Sequence, residues 1–383
     1  MTDSRRLIAF SSCPPAEANR PPSTPGPTAQ PQGRPPVTAP EAEQDAVPGL
    51  LGSRSRASAL PRRAAAAGIS LPPVVEELHV PSLPAHDGGS SLRREPRQAP
   101  GPGFRVLRWP PTRASPAADA GSPAHRAGAG SQAEPDREPP GPGFEQVQGA
   151  LDAVDPQARW RVMAVPVLPE GVSRLVVTDV DSTLIGQEVI DELAARAGAR
   201  ERIAAITERA MRGELDFAAS LRERVAALAG LPVSVLEAVR EGLVLNPGAR
   251  ELVARLHARG DRIGAVSGGF AAILDPLAAH LGLDRALANG LEIADDGFGP
   301  RLTGRVRGPV VDAAAKRRAL STWAQDFDLA VGATVAMGDG ANDLLMVEAA
   351  GLGVAYCAKP ALDAAAAARI PVPRLDALLA LLD

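Results

Sequence analysis

Two aspartates lie one residue apart in the segment DVDSTLIGQE, directly after an apolar run. Asp179 and Asp181 follow the sequence LVVT, so both carboxylates come at or just past the end of a predicted buried strand. A charged side chain in such a place is costly unless a cation or a substrate interacts with it. The pair therefore predicts a catalytic or ligand-binding site rather than an ordinary strand end.

Polar residues also follow two later apolar strands of the sequence. Ser267 and Gly268 come after RIGAV, and Asp339 comes after TVAMG, with Asp343 a short distance beyond. The carboxyl ends of parallel strands meet at one edge of a sheet, and α/β sheets bind their ligands at that edge. We therefore expect these groups to converge with Asp179 on one crevice.

The chemistry that these groups permit is phosphoryl transfer. Asp179, Asp339 and Asp343 would repel one another without a cation, and an all-oxygen set without His or Cys predicts Mg²⁺. One carboxylate could attack phosphorus and form an aspartyl-phosphate, while another protonates the leaving oxygen and then activates water. Two other interpretations stay open: a structural calcium pair at Asp179 and Asp181, and a helix-capping role for Asp343.

Lysine is rare in this chain, which has 39 arginines and only Lys316 and Lys359. A compact ammonium fits between a carboxylate and a phosphate where a broad guanidinium does not. Lys316 is therefore predicted to act in the site. Lys359, next to Pro360, either contacts the site or steadies its rim, and the sequence does not decide between the two.

The elements that would position these residues alternate between strands and helices over residues 165–383. Such alternation predicts an α/β fold with a Rossmann-like, mostly parallel sheet covered on both faces. Residues 190–245 form several short helical patterns that each stop at Gly or Pro. They predict a small helical-bundle cap inserted into the core after the first motif.

The composition changes sharply before the core begins. Residues 1–150 contain 27 of the 38 prolines, with 16 Arg against 14 Asp and Glu. No apolar periodicity lasts there, so this region is predicted to be disordered, and Met163 is an alternative start. Because acids interleave with the arginines, nucleic-acid binding is not expected.

Targeting features and cysteine usage indicate the compartment. The sequence shows no secretory leader and no apolar run long enough for a bilayer. The two cysteines, Cys13 and Cys357, form no metal-spaced cluster. We therefore expect a cytoplasmic protein without a membrane partner, and the oligomeric state is not predicted.

The motifs DVDST, SGG, a downstream lysine and GDGAND occur in the order typical of one family. They resemble the haloacid dehalogenase-like phosphohydrolases. Within this family, residues 172–383 are similar to the phosphoserine phosphatases, also through Glu188, MRGELDF and SLRERV in the insert and GLGVAYCAKP near the end. The specificity of the resemblance rests on these insert residues, because a DxD pair alone occurs widely.

The resemblance implies a role for each matching residue. Asp179 would be the nucleophile and Asp181 the acid and base, and Mg²⁺ would be held by Asp179, the backbone carbonyl of Asp181 and Asp339. The implied contacts to the phosphoryl group are Ser267, Gly268 and Lys316, and those to the rest of the substrate are Glu188, Arg224 and Asn342.

The function that follows from the resemblance is hydrolysis of the small phosphomonoester O-phospho-L-serine, the last step of serine biosynthesis. Alternatives are another small phosphomonoester, phosphoryl transfer to an alcohol acceptor such as homoserine, or an inactive domain that serves as a binding platform. Relatives with long N-termini often carry βαββαβ regulatory domains. The sequence before residue 150 gives no support for such a domain.

Overall fold

The computed structural model describes residues 4–12, 76–80, 83, 97–99, 104–108, 112–113, 144–154, 161–295 and 297–382. The strands are, in chain order, β1 (Ser4–Ser12), β2 (Glu76–Val80), β3 (Arg97–Gln98), β4 (Phe104–Arg108), β5 (Thr112–Arg113), β6 (Arg161–Pro166), β7 (Leu175–Thr178), β8 (Val244–Leu245), β9 (Arg262–Phe270), β10 (Arg285–Asp295), β11 (Pro300–Arg307), β12 (Thr334–Gly338), β13 (Leu352–Tyr356) and β14 (Ala368–Ile370). The α-helices are α1 (Phe144–Val154), α2 (Val189–Ala197), α3 (Arg200–Met211), α4 (Phe217–Ala226), α5 (Ser234–Glu241), α6 (Ala249–Ala258), α7 (Ala271–Leu281), α8 (Ala313–Asp326), α9 (Leu344–Ala349), α10 (Pro360–Ala365) and α11 (Leu379–Leu382).

The central sheet has the strand order β11-β10-β9-β7-β12-β13-β14. All neighbouring strands pair in parallel except β10 and β11, which form an antiparallel hairpin. Along β7, Val176 packs into one apolar cluster while Leu175 and Val177 pack into the cluster on the opposite face. Burial on both faces explains the unbroken apolar run in this strand. The predicted mostly parallel α/β sheet is confirmed.

The register of the central strands fixes where the motifs emerge. Thr178 at the end of β7 is paired with Met337 of β12 and with Ala265 of β9. The residues that follow these positions therefore leave the sheet at one edge and side by side. This edge is where the sequence places Asp179, Ser267 and Asp339.

The helical insert lies between β7 and β9 and comprises α2 to α5. Its helices bury leucines and isoleucines such as Leu193, Ile203 and Leu221. Gly198 ends α2 in the left-handed conformation, and the Asp216 carboxylate caps α4 by accepting from the Ala219 N–H. These helices occupy the region where the sequence predicts a cap.

A second, antiparallel sheet is formed by the N-terminal strands. β1 pairs with β4 and β6, β4 also pairs with β2, and β5 adds to the end of β1. Leu7 and Ala9 face α1, where they pack with Val147 and Leu151. Ile8 and Phe10, on the other face of β1, join the apolar cluster that contains Val176 of β7.

These strands correct two expectations from the sequence. Residues 4–12, 76–80, 104–108 and 144–154 form strands and a helix rather than the disorder predicted for residues 1–150. The sheet strands β1, β2, β4 and β6, with α1 before β6, also follow the order of strands in a βαββαβ unit, which the sequence did not support. Each alternating segment is short and lies between proline-rich stretches, so the average composition hides it. The rest of residues 1–150 lies outside the described residues.

A short segment, Arg97–Ala99, connects the N-terminal region to the cap. Its strand β3 pairs in parallel with β8, the two-residue strand through which the chain leaves the cap. The Ala99 N–H donates to the Leu245 carbonyl at 3.0 Å. Gln98 is 3% exposed and donates to the Glu251 carboxylate at 3.1 and 3.3 Å. We call Arg97–Ala99 the strap and Val244–Leu245 the hinge strand.

The C-terminal segment closes the core on the side of the second sheet. Leu378, Leu379, Leu381 and Leu382 are buried in the same apolar cluster as Ile8, Phe10, Met163 and Val165. Within the described part of the chain, no helix combines the length and hydropathy needed to span a membrane.

Candidate active site

Asp179 follows β7, and both its backbone and its side chain make hydrogen bonds that hold it in place. Its N–H donates to the Met337 carbonyl at 2.8 Å, and its Oδ1 accepts from the Lys316 Nζ at 2.7 Å. Beyond it the chain turns back, because Ile185 donates to the Val180 carbonyl at 3.0 Å and Ser182 adopts a left-handed φ of 57°. This tight turn keeps Asp179 and Asp181 at the sheet edge.

Lys316 lies in the first turn of α8, a helix that Asp312 caps at its N-terminus. The Asp312 carboxylate accepts from the Ala315 N–H at 2.8 Å, which fixes where the helix starts. Lys316 is 1% exposed, and its Nζ donates to Asp179 and to Asp343, each at 2.7 Å. Burial alone would lower the pKa of Lys316, but the charges of the two carboxylates outweigh it and raise the pKa. The ammonium is therefore kept charged between two carboxylates.

Asp179, Asp339 and Asp343 bring oxygen atoms within 4.8 Å of one another. Such an oxygen-only group of buried carboxylates fits a hard divalent cation. Asp343 also accepts from the Gly340 N–H at 3.2 Å. It therefore has the capping role that the sequence left open and also lies beside the carboxylates of Asp179 and Asp339. Burial and the charge of Asp179 raise the pKa of Asp343 to about 7, against the effect of Lys316.

The Asp181 carboxylate has a different environment from the other three. Its Oδ1 accepts from the Val189 N–H at 2.8 Å, and its Oδ2 accepts from the Ser267 hydroxyl at 2.9 Å. Burial, followed by the charge of Asp179, raises the pKa of Asp181 to about 7. A carboxyl group with such a pKa can both donate and accept a proton near neutral pH.

Ser267, Gly268 and Gly269 form an irregular turn within the last part of β9, between the core and the cap. A Cβ on Gly268 would be 2.8 Å from Phe217 of α4, and one on Gly269 would be 2.9 Å from the Asp181 carboxylate. Glycine at both positions therefore allows the cap and the acidic pair to approach the turn. The two glycines carry no side chain on the cavity side of this turn, where a phosphate would lie.

A cavity of about 350 Å³ opens between this edge of the sheet and the cap. Glu188 and Arg224 line it from the insert side; burial raises the pKa of Glu188 and lowers that of Arg224. The predicted site residues that line the cavity are Asp179, Asp181, Glu188, Arg224, Gly268, Asp339 and Asn342. Ser267 and Lys316 lie outside the lining and donate hydrogen bonds to two residues of it, Ser267 to Asp181 and Lys316 to Asp179.

Two residues outside the predicted set also support the site. Lys359, left undecided by the sequence, lines the cavity with its Nζ 3.2 Å from an Asp339 oxygen. Asn246, just after the hinge strand, donates to the Thr183 carbonyl at 2.7 Å. The rarity of lysine was the available indication for Lys359, whereas nothing in the local sequence marks Asn246.

Comparisons with known proteins agree with this geometry. A family model described as haloacid dehalogenase-like hydrolase matches residues 176–348. A phosphoserine phosphatase of Mycobacterium tuberculosis is 55% identical over 209 residues, which are 55% of this chain and 50% of that protein. A phosphoserine phosphatase of Streptococcus thermophilus is 50% identical over 212 residues, 55% of this chain and 97% of that protein.

A solved structure shows the same likeness. A phospho-aspartyl intermediate analogue of phosphoserine phosphatase shares 40% identity and a TM-score of 0.51, covering 55% of this chain and 99% of the other. The matched part of this chain spans about half the length of the Mycobacterium tuberculosis relative. The family model, over residues 176–348, spans the acidic pair, the helical insert and the Asp339 motif.

Proposed function

The chain belongs to the haloacid dehalogenase-like hydrolase family, within its phosphoserine phosphatase branch, and from this we propose that it hydrolyses O-phospho-L-serine to L-serine and phosphate. The observation that carries the proposal is the position of Asp179. It lies in the cavity, 2.7 Å from a buried ammonium and beside a second carboxyl group whose pKa is about 7. The high identity of the phosphoserine phosphatases supports the same substrate.

The metal that we propose is Mg²⁺. The carboxylates of Asp179, Asp339 and Asp343 would hold it, with the backbone carbonyl of Asp181 as the further ligand that the family resemblance implies. When bound, the cation supplies positive charge that offsets the repulsion between the carboxylates and a phosphate.

The residues of the chain divide the reaction into two steps. An Asp179 carboxylate oxygen attacks phosphorus, and the bond from phosphorus to the serine oxygen breaks as the Asp181 carboxyl group donates its proton to that oxygen. Asp181, now ionised, takes a proton from a water molecule that attacks phosphorus of the aspartyl-phosphate; the bond between phosphorus and the Asp179 oxygen breaks, which releases phosphate and regenerates the Asp179 carboxylate. Lys316 stabilises the negative charge throughout, and Ser267 holds the Asp181 carboxyl group in place.

Recognition of the serine part requires charges of both signs, because phosphoserine carries an ammonium and a carboxylate. Glu188 offers a carboxylate for the ammonium, and Arg224 offers a planar guanidinium for the carboxylate. Both lie on the cavity wall contributed by the insert, so binding of the amino acid would favour closure of the cap. We also propose that the enzyme works in the cytoplasm on this free small molecule.

The test measures phosphate release from O-phospho-L-serine by the purified full chain, with and without Mg²⁺. Asp179→Asn should abolish turnover and the acid-trapped phosphoenzyme together, because an amide is a far poorer nucleophile. Asp275→Asn, at an exposed position of α7, is the matched control and should behave as the wild type. Normal turnover by Asp179→Asn would refute the mechanism, and absence of phosphate release by the wild type would refute the substrate.

A further inference from the structure

Asn289 is a fully buried amide beside the site that the sequence did not mark. It lies in β10 with 0% exposure and does not line the cavity. Its Nδ2 donates to the carbonyls of Gly268 at 2.8 Å and Gly269 at 3.1 Å. Its Oδ1 accepts from the Val311 N–H at 2.7 Å. The amide therefore joins the Ser267-Gly268-Gly269 turn, which we call the phosphate-binding turn, to the segment that leads into α8.

The pairing of β9 with β10 explains why a side chain is needed here. Val266 pairs with Leu287, but the next pair is Phe270 with Asn289, so residues 267–269 of β9 face a single residue of β10. This extra length bulges the turn towards the cavity and takes its carbonyls out of the ladder. Half-buried carbonyls that have left the ladder need donors, and the Asn289 amide provides them for two consecutive peptides.

The orientation of the Gly268 carbonyl also determines the direction of the next N–H. The peptide is planar and trans, so a carbonyl that faces Asn289 makes the Gly269 N–H point the opposite way. That N–H donates to the Ser267 hydroxyl oxygen at 2.7 Å, and the hydroxyl donates to Asp181 at 2.9 Å. Asn289 therefore acts on Ser267 and Asp181 through one peptide unit.

The other end of the amide connects to the lysine. Val311 immediately precedes Asp312, the residue that caps the N-terminus of α8, and Lys316 lies in the first turn of that helix. A hydrogen bond from Val311 to Asn289 therefore fixes the distance between the start of α8 and the phosphate-binding turn. Ser267 and Lys316 contact Asp181 and Asp179 from different elements, and Asn289 bonds the end of β9 and the segment that leads into α8.

We propose that Asn289 is a positioning residue for the phosphoryl-binding half of the site. This inference rests on the proposed function, because it assumes that the site binds a phosphoryl group. It does not depend on phosphoserine being the substrate. Loss of Asn289 should weaken binding of phosphate far more than binding of the metal, since the hydrogen bonds of Asn289 go to β9 and Val311 and not to the carboxylates of Asp179, Asp339 and Asp343.

The test compares Asn289→Leu with the wild-type full chain by calorimetry. Leucine has a similar volume but leaves two carbonyls and one N–H unpaired, so we expect affinity for inorganic phosphate and orthovanadate, with Mg²⁺ present, to fall about tenfold to a hundredfold. Affinity for Mg²⁺ alone should change less than about twofold. KM for phosphoserine should rise together with the phosphate dissociation constant.

Thr334→Val is the matched control. Thr334 is also 0% exposed, and its hydroxyl joins the Val331 carbonyl and the Gly351 N–H at the opposite end of the sheet. Its replacement should lower the melting temperature without changing phosphate affinity. If Asn289→Leu does not fold, Asn289→Thr, which keeps one donor, is measured in its place.

The possible results separate the two proposals. Unchanged phosphate affinity in a folded Asn289 variant, or an equal loss of phosphate and metal affinity, would show that Asn289 has only a structural role. A selective loss of phosphate affinity supports the inference even if the wild type releases no phosphate from phosphoserine. In that case the substrate proposal alone would fail.

Discussion

Lys316 is buried between two carboxylates in a chain that otherwise uses arginine for positive charge. Lys316→Arg should lower kcat/KM by at least about tenfold, or about 1.4 kcal/mol, because the larger planar head does not fit between Asp179 and Asp343. Steady-state kinetics of phosphate release measure the effect. Arg318→Lys, at an exposed position of the same helix, is the matched control and should keep the wild-type kinetics. Equal kinetics in both variants would contradict the role of Lys316.

Arg224 tests how the site recognises the serine part of the substrate. Arg224→Ala should reduce turnover of phosphoserine by about tenfold to a thousandfold, roughly 1.4–4 kcal/mol, because a charge-assisted bond to the carboxylate is lost. An aryl phosphate lacks that carboxylate and should be affected much less. Arg222→Ala, at an exposed position of the same helix, should change neither substrate. Equal losses on both substrates would mean that Arg224 supports the phosphate or the fold.

At the scale of single residues, sequence reasoning found the side chains that follow strands. Asp179, Ser267 and Asp339 could be placed at one edge because parallel strands end there. Asn289 could not be found, because its role depends on a register shift between β9 and β10. Local sequence does not encode which residues of two strands face each other.

At the scale of elements, the strap links the N-terminal region to the hinge strand of the cap. Gln98→Leu removes the bonds to Glu251 and to the Arg250 N–H, the latter at 3.3 Å. The hinge should then open more often, and amide hydrogen exchange at residues 244–246 should rise about fivefold for a net loss of about 1 kcal/mol. Amides of β12 should keep their exchange rates.

The adjacent residue of the strap provides the control for that experiment. Arg97 is exposed, so Arg97→Ala should leave exchange at the hinge strand unchanged. If Gln98→Leu also leaves it unchanged, the strap does not restrain the hinge.

The elements of the core could be predicted, and those of the second sheet could not. Alternating strands and helices from residue 165 onward follow a regular pattern with local connections. In contrast, β1 pairs with β6 across about 150 residues of chain, and β2 and β4 of the same sheet are only five residues long. Short strands separated by long proline-rich segments leave no periodic signal in a composition average.

At the scale of the whole molecule, the second sheet and the C-terminal segment share one apolar cluster, so truncation of the sheet should affect stability. A chain that starts at Met163 would cut β6 and lose β1 and β4, which uncovers leucines of the C-terminal segment such as Leu381 and Leu382. Exposure costs roughly 1.5–3 kcal/mol for each large apolar side chain. The truncated protein should therefore melt at a lower temperature and self-associate, as measured by calorimetry and light scattering.

A compensating variant identifies the cause of that instability. In the truncated chain, Leu381→Gln with Leu382→Gln should reduce self-association, because the newly exposed surface becomes polar. A truncated protein as stable and monodisperse as the full chain would show that the second sheet does not stabilise the core.

The two lysines also determine how the protein responds to lysine-directed reagents. Lys316 is 1% exposed, whereas the Lys359 side chain is 66% exposed at the mouth of the cavity. Of the two lysines, an acylating dye or a resin that couples through lysine amines would therefore attach to Lys359, at the entrance of the site. Immobilisation by this chemistry would obstruct substrate entry, so a biosensor or a supported catalyst made from this protein should be anchored through another functional group.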